Sequence, residues 1–165
     1  MDRPLIAHLR YLFYVLRHKW YVFVAGLRLG LGLWQLLIHD YSKFGRAEWG
    51  PYVRYFYNVQ GMPVGRRDST GAYTPSEKEA FAVAWLHHLH TNPHHWEWWV
   101  ARSKVGEPRP IRMPMKFVRE MVADWKGAGQ AQGMPDTQAW YAANSRFMML
   151  HPDTRKDVEA FLSRK

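Results

Sequence analysis

The stretch HHLHTNPHHWEWW, residues 87–99, places five imidazoles and three indoles within thirteen positions of a chain that has no cysteine. Imidazole nitrogens bind divalent transition ions, move protons near neutral pH, or fill core space beside tryptophan. Without thiolates, a metal here is held by histidine nitrogen and carboxylate oxygen. Further donors occur at His18, at the adjacent pair His39 and Asp40, and at Asp124. A divalent ion needs several such donors converging, with one position left for water or substrate. His90, three residues after His87, shares its helical face, whereas His88 points about 100° away. Either the His87–His88 pair bridges two ions or one of the two supports the other.

These donors are spread along the chain, so helices must bring them together. Leu5, Leu9, Leu12, Leu16, Val22 and Ala25 recur at helical steps and predict a long helix from Pro4 to about Leu29, with His18 on it. Gly30 and Gly32 end it, and LWQLLIHD forms a short apolar helix that delivers His39 and Asp40. A helix is expected around Glu48 to Tyr57, then a mobile loop at about 60–75 that contains Arg66 and Arg67. Ser76 and Glu79 fit a capping box for the helix of His87 and His88, and Asn92 with Pro93 predicts a new helix, PHHWEWWVARS. MKFVREMVADWKG reads as an amphipathic helix stopped by Gly127; Glu120, one turn before Asp124, ordinarily means a solvated acidic face, while Val118, Met121, Val122 and Trp125 set Asp124 near the edge of the apolar stripe. Two short helices finish the chain, the last capped by Asp153, with His151 structural. No strand pattern, internal repeat or low-complexity tract appears, so the expected fold is all-α, a compact single-domain helical bundle over 1–165.

On these residues a resemblance rests. LLIHDYSKF, residues 36–44, resembles the signature of the HD superfamily of metal-dependent phosphohydrolases, in which an apolar helix ends in His-Asp followed by a small residue and Lys. His18 on an upstream helix is similar to that family's first ligand, His87 and His88 to the paired histidines of its two-metal branch, and Asp124 to its closing aspartate. The spacing of His18 and His39 is tighter than in that superfamily, and His90, His94 and His95 exceed its pattern. The chain as a whole resembles a phage and bacterial family of no established activity through RHKWYV, HDYSKF, AWLHHLHTNPHHWEWW, EMVADWKG and LHPDTRKDVE.

The resemblance implies an HD-like domain holding one or two divalent ions, of Mn, Fe, Zn, Co, Ni or Mg. His18, His39, Asp40, His87, His88 and Asp124 would be the ligands, with Asp40 bridging. Water activation for hydrolysis of a phosphate ester then follows, most plausibly in a nucleotide or a cyclic or oligonucleotide. His87 and His90 would bind the second ion or donate to phosphate, and Lys43 would face the substrate's charge. Arg66, Arg67, Asn92, His94 and His95 are the candidate substrate contacts. Two alternatives stand beside it: a diiron HD-type oxygenase, and a non-catalytic basic helical module that binds nucleic acid or a host protein. A net charge of +9 favours a phosphate-bearing small molecule or nucleic acid as partner. Arg28 and Gln35 interrupt the apolar segment from Trp20 to Ile38, which argues against a membrane span. The expected compartment is the cytoplasm of a bacterium or of a phage-infected host cell.

Overall fold

The apolar periodicity of the first thirty residues forms helix α1 (Arg3–Arg28), which buries Ala7, Tyr11, Val15, His18 and Val22 along one side. Gly30, at φ +74°, turns the chain back into α2 (Leu33–Ile38), a conformation glycine adopts without steric penalty. Gly26 lets the two approach: a Cβ there would stand 2.3 Å from Leu36 Cδ2. Then follow α3 (Trp49–Phe56), α4 (Glu79–Thr91), α5 (Met115–Gln132), α6 (Thr137–Asn144) and α7 (Pro152–Leu162). The computed structural model describes residues 3–58, 60–64, 79–102 and 106–163, and these are all-α apart from one small ladder and an isolated bridge between Tyr57 and Pro63. That ladder pairs β1 (Val100–Ala101) antiparallel with β2 (Arg109–Pro110). Among the described residues no helix is long and apolar enough to cross a membrane.

Helices α1 and α5 pack along one another at the centre. On one side α5 carries Val118, Met121 and Val122 against Val158 and Phe161 of α7; on the other, Tyr11 and Val15 of α1 meet Tyr52 and Tyr55 of α3 and Phe81 of α4. Val22, Leu36 and Ala123 join α1, α2 and α5 between them. The site described below lies where these groups meet.

Three sequence expectations change. Gly127 does not stop α5, which runs on to Gly133 at φ +75°. A Cβ at Gly127 would stand 2.7 Å from Val22 N, so the residue permits close approach to α1 instead of ending a helix. PHHWEWWVARS is not an α-helix. Asn92 Nδ2 donates to His88 O and caps α4, a turn follows, and a 3-10 turn at Trp96–Trp99 leads into β1. In a continuing helix the consecutive rings of His94 and His95 would diverge; the turn keeps both inside. The cap of α7 is His151, whose Nδ1 accepts from Asp153 N at 3.2 Å, with Pro152 in the first turn. Asp153 belongs to the first turn itself. Arg66, Arg67, Ser76 and most of the expected loop lie outside the described residues.

Candidate metal centre

Five segments supply the site. His18 comes from α1, His39 and Asp40 from the end of α2, His88 from α4, His94 and His95 from the turn after it, and Asp124 from α5. Two consecutive residues can face one point only where helical geometry has ended. Asp40 shows how: it sits in the left-handed region at φ 55°, just beyond α2, and both His39 and Asp40 turn inward, almost wholly buried. A non-glycine residue held there marks a site over-determined by its surroundings.

The donor atoms form two groups that share Asp40. In the first, His18 Nε2 lies 3.2 Å from both Asp40 Oδ2 and Asp124 Oδ1, and His39 Nε2 lies 3.5 Å from the same two oxygens. In the second, His88 Nε2 and His94 Nε2 lie 3.5 and 3.4 Å from the other oxygen, Asp40 Oδ1, with His95 completing the set. Donors at about 2.1 Å from one ion stand roughly 3.0 Å apart in cis-octahedral and about 3.4 Å apart in tetrahedral arrangement. The spacings match.

A further test is what these atoms do without an ion. His39 Nε2, Asp40 Oδ1, His94 Nε2 and His95 Nε2 are buried with no hydrogen-bond partner. Such groups cost about 1–3 kcal/mol each when left unsatisfied. A cation would satisfy them together, so the residues fit a divalent metal.

Two carboxylates behind the imidazoles fix which nitrogen faces inward. Glu48, fully buried, accepts from His88 Nδ1 and His87 Nδ1, each at 2.8 Å. Glu120 accepts from His39 Nδ1 at 3.0 Å and is itself held by Gln35. A carboxylate on the outer ring nitrogen leaves the inner lone pair for the ion and raises its basicity. Glu120, His39 and His94 also form a third grouping of donor residues, in which Glu120 already accepts from His39 Nδ1.

Charge follows from this packing. Burial alone would raise the carboxyl of Asp40, but His39, Lys43 and His88 hold it well below the usual range. Asp124 is likewise held low against burial by His18 and His39. Burial opposes a proton on His39, yet Asp40, Asp124 and Glu120 raise it to about 10, so a proton stands where an ion would. Burial, then the charge of His39, lowers His94 to about 4, and burial keeps His95 well below its usual value. Anionic carboxylates and neutral inner imidazoles are the forms that bind metal.

The remaining nominated residues fall elsewhere. His87 is 45% exposed in its side chain and meets Glu48 instead of Asp40. His90 is exposed on the outer side of α4. Asn92 is buried, donating to Ser42 Oγ and His88 O, while His94 and His95, expected to touch substrate, stand among the donors. Lys43 pairs with Asp40. It also lines a cavity of about 370 Å³ with His18, His88, His95 and Asp124. The cavity walls are Trp85, Trp96, Trp125, Trp140, Phe147, Met121 and Met148, and Glu97 joins them, its carboxyl pushed up to about 7 by burial.

Glu48 and Glu120 were missed as site residues from sequence. Glu120 precedes Asp124 by one helical turn, and that spacing could have placed both on one inward face. Glu48 offers no local signal, since its partners lie 39 and 40 residues away.

No curated protein and no solved structure matches the chain. A family model does match, over residues 7–164, so that the chain belongs to the family described as "Family of unknown function (DUF5662)".

Proposed function

We propose that this protein is a metal-dependent phosphohydrolase acting on a phosphate ester that carries a flat, apolar group, most simply a nucleotide. The observation that carries the reading is the pair of donor groups sharing Asp40 beside a tryptophan-walled cavity. His18, His39, Asp40 and Asp124 would hold one ion and Asp40, His88, His94 and His95 a second. When bound, two divalent ions activate water, polarise a phosphate oxygen and offset charge in the transition state.

The chain's own residues do the rest. Asp40 offers one oxygen to each group and keeps the two in fixed relation. Glu48 and Glu120 accept from Nδ1 of His88 and His39, which turns Nε2 of each ring toward the site and makes it a more basic donor for an ion that displaces any proton there. Lys43 brings a cation to the same cavity, which suits an anionic substrate. Trp85, Trp96, Trp125 and Trp140 line the cavity, and a base stacking on one such ring would gain about 1–3 kcal/mol. The cavity volume of about 370 Å³ lies within the range of small-molecule sites.

The test is a panel of phosphomonoesters and phosphodiesters, nucleotides included, offered to the chain loaded with manganese, iron or zinc. Hydrolysis that chelation abolishes and Asp124→Asn severely reduces is the expected result. Absence of hydrolysis across the panel, with dioxygen consumed by the iron-loaded chain, would replace this reading with an oxygenase.

A further inference from the structure

Helix α1 has two apolar faces, and among the described residues the fold covers one. Opposite Tyr11, Val15 and Val22, the side chains of Phe13, Leu16, Trp20 and Leu27 recur at steps of three, four and seven and are exposed, Phe13 by 68% and Trp20 by 62%. A second apolar stripe on a helix whose first stripe fills the core is ordinarily covered too. The neighbouring α2 continues the exposure with Leu33 and Leu37, 61% and 60% exposed. The two helices are tied side by side, since Lys19 of α1 donates to Leu37 O and His39 O. Exposed apolar surface on this scale marks an interaction site.

Charge says what covers it. Residues 3–39 contain no aspartate or glutamate, yet they carry Arg3, Arg10, Arg17, Lys19 and Arg28. Arg10, Arg17 and Arg28 fall within about 20° of one another on the helical wheel, along one flank of the apolar stripe. Arg10 donates to Gly61 O and Met62 Sδ and Arg17 to Ala131 O, and among the described residues no carboxylate pairs with either. A second copy seated on this face would set one cation-only surface against another. Anionic headgroups complement it, and acyl chains accept the indole and leucine side chains. The other face of α1 carries His18 and packs on α5, so a bilayer could meet this helix along one side only.

We propose that the outer face of the α1–α2 hairpin binds an anionic lipid surface peripherally. The inference is independent of the reaction at the metal centre. Full-length protein is sedimented with vesicles of phosphatidylglycerol and phosphatidylcholine in equal parts, and with phosphatidylcholine alone, at low and high salt. The expected result is pelleting with the anionic vesicles that weakens as salt rises. Leu16→Ser combined with Trp20→Ser, and separately Leu33→Ser combined with Leu37→Ser, should each lower the binding by about tenfold or more. All four side chains are exposed, and unchanged far-ultraviolet circular dichroism and metal content show that each variant is folded. A chain that stays in the supernatant with both vesicle types overturns the proposal. So do variants that pellet like the parent, or self-association of the parent that these substitutions abolish while vesicles are ignored.

Discussion

Replacing Glu48 by glutamine removes a negative charge from a fully buried carboxylate that accepts from His87 and His88, each at 2.8 Å. The carboxylate keeps the His88 proton on Nδ1 and so leaves Nε2, 3.5 Å from Asp40 Oδ1, as a lone pair. Glutamine has one acceptor oxygen. It can serve His88, with the amide turned to His87, whose exposed ring can shift its proton at little cost. The fold is therefore kept, while the charge-assisted bond behind His88 becomes a neutral one. Loss of such a supporting interaction lowers metal affinity by about 10- to 100-fold. At about 1.4 kcal/mol per factor of ten, that is roughly 1.4–2.8 kcal/mol. Calorimetric titration of metal-free protein with zinc or manganese should show the weakening at the group containing His88, His94 and His95. The group containing His18, His39 and Asp124 should change by less than about threefold, since it shares only Asp40 with the first. Unchanged affinity at both groups would refute the role given to Glu48. Equal losses accompanied by a lowered melting temperature would assign it to structure alone.

Gly127→Ala should destabilise the chain by about 1–2 kcal/mol in denaturant titration, because overpacking against Val22 N at 2.7 Å outweighs a helix-propensity gain of about 1 kcal/mol. His94→Ala should abolish binding of one ion, whereas His90→Ala, on the exposed side of α4, should leave the metal stoichiometry unchanged by elemental analysis. Asp40, Asp124, Glu48 and Glu120 titrate lower in the folded chain than in the unfolded one. Their contribution to stability is thus present above the usual carboxylate range of about 4 and is lost as pH falls through and below it, which melting of chelator-treated protein measures. His39 carries the opposite sign: raised to about 10, its contribution is present below its unfolded value and is lost as pH rises through about 10. An ion must displace that proton, so metal affinity should increase with pH across the neutral range.

The helices were legible because burial of one face imposes a 3.6-residue period, and α1, α2 and α5 follow it. His18, His39, Asp40, His88 and Asp124 were nominated from residue type and motif, and the fold sets their donor atoms in the two groups. His94 and His95 were named as substrate contacts because they exceed the HD pattern, and Asn92 with Pro93 looks like the start of a helix, on which consecutive rings diverge. A turn formed instead, its chain held by Asn92 on Ser42 and His88, and such tertiary hydrogen bonds leave no periodic trace. Gly127 misled for the same reason: a glycine demanded by contact with another helix looks like one that ends its own. Glu120 was read as a solvated acid, since nothing local reveals that His39 is opposite. Leu5 and Leu16 helped set the period of α1 yet stand exposed, because periodicity reports apolar faces without saying how many the fold will cover.

The central claim, that Asp40 joins two sets of metal donors, is tested most directly by elemental analysis of protein purified without chelator, beside Asp40→Asn. The account predicts a divalent transition metal in stoichiometric amount in the parent and its loss from the variant, with helical circular dichroism retained. A parent that is metal-free and takes up no added manganese, iron or zinc would contradict it, as would a folded variant that keeps its full complement.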